Sequence, residues 1–157
     1  MNRYAADTSV SVANSKAEIE RIVERYGATG FLSGWTADQA VIAFAMNDRQ
    51  VRFTLKMPQR ESEEFTCYMR GSVKYQREDA AAARLWEQAC RQRWRALALV
   101  IKAKLEAVES DISTFEDEFM SSIVMPNGRT VSEEVRPLIA RAYETGSMPP
   151  LLPDYSA

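Results

Sequence analysis

Histidine is absent from this chain, and with it go the commonest general base, the relay of a Ser-His-Asp triad and the usual nitrogen ligand of a metal. Most hydrolase plans are thereby excluded. No G-x-S-x-G, G-x-x-x-x-G-K or G-x-G-x-x-G occurs, and Gly27, Gly30 and Gly34 are spaced as a helix stop and strand turns, not as a phosphate-cradling loop. Cysteine is scarce. Cys67 and Cys90 are too few for a zinc site of cysteines, and two unpaired thiols suit a cytoplasmic compartment. No run approaches the ~20 apolar residues of a membrane span, and residues 1–14 hold no apolar stretch of signal-peptide length, so the expectation is a soluble, non-exported protein without a membrane partner. Net charge is also small, -2 at pH 7. That excludes a uniformly basic nucleic-acid coat and an acidic DNA mimic, and confines any electrostatic function to patches.

What the chain does have is a long helix. Residues 80–110 contain neither Gly nor Pro and are built largely from Ala, Leu, Arg, Lys, Glu and Gln, the residues that lose least on entering a helix. Trp86, Cys90, Trp94, Leu97, Ile101, Leu105 and Val108 fall on one apolar stripe, which makes Cys90 a buried thiol and the two tryptophans core residues rather than stacking platforms. Arg84, Arg91, Arg95 and Lys102 fall within about 20° of a second line at 100° per residue. Ala89, Ala96, Val100 and Ala107 make a further side of mostly small residues. A second copy of the chain or its own C-terminal helix would cover it, and the first option makes a homodimer.

The other elements follow from caps and period. Ser15 and Glu18 form an S-x-x-E capping box, predicting a short helix to Tyr26 with Ile19, Ile22, Val23 and Tyr26 on its buried face and Gly27 ending it. The period then becomes two. Ile42, Phe44 and Met46, and after the turn residues Asn47 and Asp48, Val51, Phe53 and Leu55, give a hairpin with one apolar face, and residues 31–35 add a shorter strand weakened by Gly30 and Gly34. Residues 58–79 lose a clear period and read as an extended excursion, with a strand near Phe65 to Met69. Ser113 and Glu116 cap a helix after a break near residues 110–113. Thr130 and Glu133 cap another, whose stripe Val135, Leu138, Ile139 and Tyr143 is interrupted by Pro137 and stopped by Gly146. Residues 148–153 read M-P-P-L-L-P, an extended end for an apolar groove or a partner.

With 157 residues, 46% of them hydrophobic, the chain suits one domain that buries about two-thirds of its unfolded surface. The predicted class is α+β: an N-terminal arm (1–14), a core (15–110) of a helix, a three-stranded antiparallel sheet and a long amphipathic helix packed on that sheet, and a helical extension with a Pro-rich tail (111–157).

Charge is separated along the long helix. Residues 80–104 carry Arg84, Arg91, Arg93, Arg95, Lys102 and Lys104 against Glu87 alone, whereas residues 105–120 carry Glu106, Glu109, Asp111, Glu116, Asp117 and Glu118 and no base. Those acids are consecutive along a solvated surface and do not converge from separate elements, so neither a metal nor any other cofactor is expected. The cation row, spaced seven, four and seven residues, can follow phosphates. The excursion adds Arg70 and Lys74 interleaved with Tyr68 and Tyr75, which can stack on bases. The competing reading is that these cations pair with acids of neighbouring elements.

Residues 4–12 (YAADTSVSV), 16–31 (KAEIERIVERYGATGF), 86–110, 126–131 and 148–153 resemble a family of small bacteriophage and prophage proteins of unknown function. The resemblance implies a viral or mobile-element origin and a bacterial cytoplasmic setting, and brings no site residues. The order helix, three strands, helix is also similar to double-stranded-RNA-binding domains and, more loosely, to the core of single-strand annealing proteins. Neither motif set is present. The expected function is therefore non-enzymatic: an accessory protein binding nucleic acid through Arg84, Arg91, Arg95, Lys102, Arg70, Lys74, Tyr68 and Tyr75. The alternative is an anti-defence protein that blocks a host immune component or sequesters its signal.

Overall fold

A computed structural model describes residues 5–151. It is mixed helix and sheet, in the predicted order. Helix α1 (Val12–Arg25) leads into a three-stranded antiparallel sheet, β1 (Gly30–Trp35), β2 (Gln39–Met46) and β3 (Arg49–Lys56), ordered β1-β2-β3. A one-turn helix α2 (Glu63–Thr66) and a separate hairpin, β4 (Cys67–Arg70) and β5 (Val73–Gln76), precede the long helix α3 (Asp79–Glu109). Helix α4 (Phe115–Phe119), a 3-10 turn (Met120–Ser122) and helix α5 (Val131–Thr145) complete the described chain.

Local chemistry accounts for the boundaries. Asn47 and Asp48 both have positive φ, 52° and 57°, the twist a two-residue hairpin turn needs. That turn sets the β2–β3 register, Phe44 opposite Val51 and Ile42 opposite Phe53, so Ala40, Ile42, Phe44 and Met46 all face the core. Helix α1 starts earlier than the Ser15 signal predicts. Ser11 is the N-cap, its hydroxyl accepting from Asn14 N at 3.1 Å, and the extra turn brings Val12 against the core. Ser15 is instead fully buried, and its Oγ has no hydrogen-bond partner. The cap of α4 also moves by one residue, to Thr114, which accepts from Asp117 N. The Thr130 and Glu133 box is present as expected.

Pro137 does not interrupt α5, which runs continuously through it. A proline at that position leaves the carbonyl four residues earlier without its helical donor. That carbonyl belongs to Glu133, and the Arg129 guanidinium donates to it at 2.8 Å.

One core joins α1, the inner face of the sheet, α3 and α4. Ile19, Val23, Ile42, Val51, Trp94, Ile101, Leu105 and Phe119 are essentially inaccessible. Phe119 meets Phe44 and Phe53 edge to face and lies 4.9 Å from Phe115, a favoured geometry for buried rings. Beyond α4 the chain bridges the edge of β3, Val51 pairing with Ile123 and Val124 N donating to Gln50 O at 2.8 Å. Helix α5 packs on the 3-10 turn rather than along the small-residue side of α3, so it does not cover Ala89, Ala96, Val100 and Ala107. The tail folds back as far as Leu151, near Ile139 and Tyr143; Leu152 and Pro153 of the M-P-P-L-L-P stretch lie outside the described residues. Among the described residues no helix is long and apolar enough to cross a membrane.

Candidate nucleic-acid interface

The strand expected near Phe65 to Met69 is present as β4, beginning two residues later at Cys67 and paired with a second strand, β5. Phe65 belongs to α2 and is buried, as is Ala82 on α3, and these two helices pack together away from the main core. The strands come after it, turning at Gly71 with φ +62°. A lone two-stranded hairpin is marginal in water. This one is rooted by Phe65 and by the preceding segment, where Trp86 Nε1 donates to Pro58 O at 2.8 Å and the Arg60 guanidinium lies over the Trp86 ring.

Cross-strand register sorts the hairpin into two faces. Tyr68 opposes Tyr75 and Arg70 opposes Val73, so these four share one face, while Cys67, Gln76, Met69 and Lys74 share the other. The backbone bond from Arg77 N to Thr66 O extends the first face by one more pair. On it the Tyr68 and Tyr75 rings stack at 5.5 Å and 21°, and the Arg77 guanidinium sits 5.4 Å from the Tyr68 centroid. The result is a ladder in which Tyr68, Tyr75 and Arg70 are exposed and Arg77 is half-buried, its Nε inaccessible and without a hydrogen-bond partner. Arg77 completes it although the candidate residues omitted it; its two-residue spacing from Tyr75 is the signal that marks it. Lys74, on the opposite face, is ion-paired with Glu63, a partnership that raises the Lys74 pKa.

The cation row on α3 is less open than its alignment suggests. Arg95 forms an ion pair with Glu18 of α1. Arg91 donates through Nε and Nη2 to Gln88 Oε1 at 3.0 and 2.6 Å, and Gln88 in turn holds the arm by donating to Ala6 O and Thr8 O. Arg93, just off the row, donates to Lys56 O at 2.6 Å, and Lys104 reaches Glu118. Three cations thus hold α3 to neighbouring structure, and Arg91 braces the Gln88 that holds the arm. Arg84 and Lys102 are exposed and bond to no described residue. They stand about 27 Å apart along the helix axis, at ~1.5 Å per residue. At about 100° per residue Arg84 points roughly 160° away from the buried Ala82.

The acidic run has engagements of its own. Glu106 accepts from the Tyr26 hydroxyl, which raises the tyrosine pKa, and Glu118 pairs with Lys104. Among the described residues no three His, Cys, Asp or Glu side chains are grouped to hold a metal. Of the thiols, Cys90 is buried and its pKa is raised by desolvation, while Cys67 is half-exposed on the hairpin.

Comparison with protein families, with curated proteins and with solved structures finds none that matches this chain.

Proposed function

We propose that this chain is a non-enzymatic nucleic-acid-binding accessory protein of a phage or prophage, and that it grips single-stranded nucleic acid on the hairpin rather than along the whole of α3. One observation carries the reading: a β4–β5 face on which two exposed, stacked tyrosines stand between the exposed Arg70 and the half-buried Arg77. Arg70 and Arg84 supply phosphate contacts, and the tyrosines supply a flat surface on which a base can stack regardless of sequence. Lys102 offers a more distant phosphate contact, and Arg91 can join only by giving up Gln88. The phage origin rests on the sequence resemblance of residues 4–12, 16–31 and 86–110.

The test is a gel shift with single-stranded DNA and RNA at low salt. Arg70→Glu combined with Arg84→Glu abolishes binding and leaves thermal unfolding unchanged, since neither side chain bonds to the described fold. Tyr75→Ala weakens single-strand binding by about 1 to 3 kcal/mol and duplex binding less. A second reading, a host protein as partner, is favoured by α5, whose Ile139 and Tyr143 stand exposed (46% and 88%) beside an equally open Met148. Absence of any shift with DNA or RNA would move the proposal to that helix.

A further inference from the structure

The chain has three tryptophans, and all three line one cleft. Trp35, Trp86 and Trp94, with Met57, Pro58, Cys90, Ala40 and Lys16, enclose about 350 Å³ between the end of the sheet, α1 and α3, a size that suits a small ligand. Trp94 is the floor, 2% exposed. Trp86 is a pinned wall, its indole N–H committed to Pro58 O. Trp35 sits opposite Ala40 in the β1–β2 register and so on the core-facing side of the sheet, yet it is 77% exposed. A large indole on the inward face, left in water beside two others, is an unfilled half of a sandwich.

Charge decides what fits. Lys16 holds its ammonium 4.7 Å from the centroid of Trp94, and Arg60 lies over Trp86. Among the described residues no carboxylate lines the cleft. Asp38, next to the lining residue Ala37, has its Oδ1 engaged by Gln59 at 3.1 Å. Aromatic cages that take cations rely on the ring faces being free of resident positive charge. Here the cation is already in place, so the cleft repels a second one and attracts an anion.

We infer that the cleft binds a small planar aromatic ring bearing an anionic group, with the ring against Trp35 and the anion at Lys16. A nucleotide phosphate and an aromatic carboxylate share this chemistry. The site is separate from the β4–β5 face and does not depend on the nucleic-acid reading.

Nitrogen–proton NMR of the full chain tests it, because three tryptophans give three indole signals, assignable by single Trp→Phe variants. The probes are adenosine monophosphate against adenosine, and indoleacetate against tryptamine. At least one anion shifts the indole signals saturably, and its uncharged or cationic counterpart binds at least about tenfold more weakly, the scale of one charge-assisted hydrogen bond. Which anion binds separates phosphate from carboxylate. Trp35→Ala, a change on an exposed side chain, abolishes the shifts, and Lys16→Glu reverses the order of indoleacetate and tryptamine. The inference is overturned by no shift with any probe, by equal binding within each pair, or by an anion preference that survives Lys16→Glu. Arg70→Glu with Arg84→Glu leaves these titrations unchanged, so loss of polymer binding and loss of cleft binding are read apart.

Discussion

Arg95 is the residue on which the helical cation row and the fold make opposite demands. Its alignment with Arg84, Arg91 and Lys102 offers it to phosphates, whereas its ion pair with Glu18 makes it a clasp between α3 and α1. The two side chains are only 23% and 30% exposed. Their coupling therefore falls above the ~0.2 to 1 kcal/mol of open surface pairs and below the ~3 to 5 kcal/mol lost when a buried pair is broken. A charge-assisted hydrogen bond of this kind contributes about 1.5 to 3 kcal/mol net. Arg95→Leu is expected to lower stability by about that amount, moving a urea midpoint by roughly 0.5 to 2 M. A double-mutant cycle with Glu18→Leu isolates the pair, with an expected coupling of about 1 to 2 kcal/mol. Arg95→Glu places two carboxylates at the seam and destabilises further, so it cannot serve as a fold-neutral probe of binding. In parallel gel shifts Arg95→Leu retains wild-type affinity for single-stranded DNA. A coupling near zero, with affinity reduced as strongly by Arg95→Leu as by Arg84→Leu, would refute the clasp and return Arg95 to the binding row.

Three further expectations follow from the packing and the caps. Phe119→Ala removes a fully buried ring that touches Phe44, Phe53 and Phe115 and should cost about 3 to 5 kcal/mol in chemical denaturation; a loss under about 1 kcal/mol would mean that α4 does not seat in the core. The Glu133 carboxyl is held below the usual glutamate range, first by the Thr130 backbone N–H and further by Arg52. Because the folded value is the lower one, its contribution is present above the ordinary glutamate pKa and is lost as pH falls through the depressed value. Glu133→Ala, which removes the acceptor of the Thr130 N–H, should raise amide exchange in α5 by a factor of about five near neutral pH, the scale of one cap, with little change in global unfolding; equal exchange in both proteins at neutral pH would contradict this. Native alkylation should label Cys67 well before Cys90, whose thiol is buried and raised in pKa; equal rates, followed by peptide mass mapping, would show that α3 opens.

Most of the architecture was legible because it rests on strong periods. Thirty-one residues of helix formers did become α3, Asp79–Glu109, and the alternation of Ile42, Phe44 and Met46 placed β2 on the core. Short elements were harder, because two signals competed over a few residues. Ser11 and Ser15 are both good caps, and burial of Val12 and Ser15 against the core selected the earlier one. Strands of four residues have too little alternation to rise far above the mixed composition of residues 58–79, so of the second hairpin only one strand, near Phe65 to Met69, was visible and its partner β5 was not. The candidate site was half legible. Arg70, Tyr68 and Tyr75 do share one face, because antiparallel register pairs them, while Lys74 falls on the other. The row on α3 was misleading for a physical reason: helical spacing says which cations align, and only the tertiary fold says which of them meet Glu18, Gln88 or a backbone carbonyl. Convergence of the three tryptophans was invisible for the same reason, since Trp35 comes from β1 and the others from α3.

Salt dependence of binding to a labelled single-stranded oligonucleotide, followed by fluorescence polarisation, tests the central claim most directly. Arg70 and Arg84 with Lys102 and, when released, Arg91 neutralise three to four phosphates, so log affinity should fall against log salt with a slope of about -2 to -3 at ~0.7 per phosphate. Arg70→Glu with Arg84→Glu should remove binding altogether, and Tyr75→Ala should weaken it while leaving the slope unchanged. An affinity indifferent to salt, or one that persists undiminished when Arg70 and Arg84 are reversed in charge, would contradict nucleic-acid binding by the β4–β5 face.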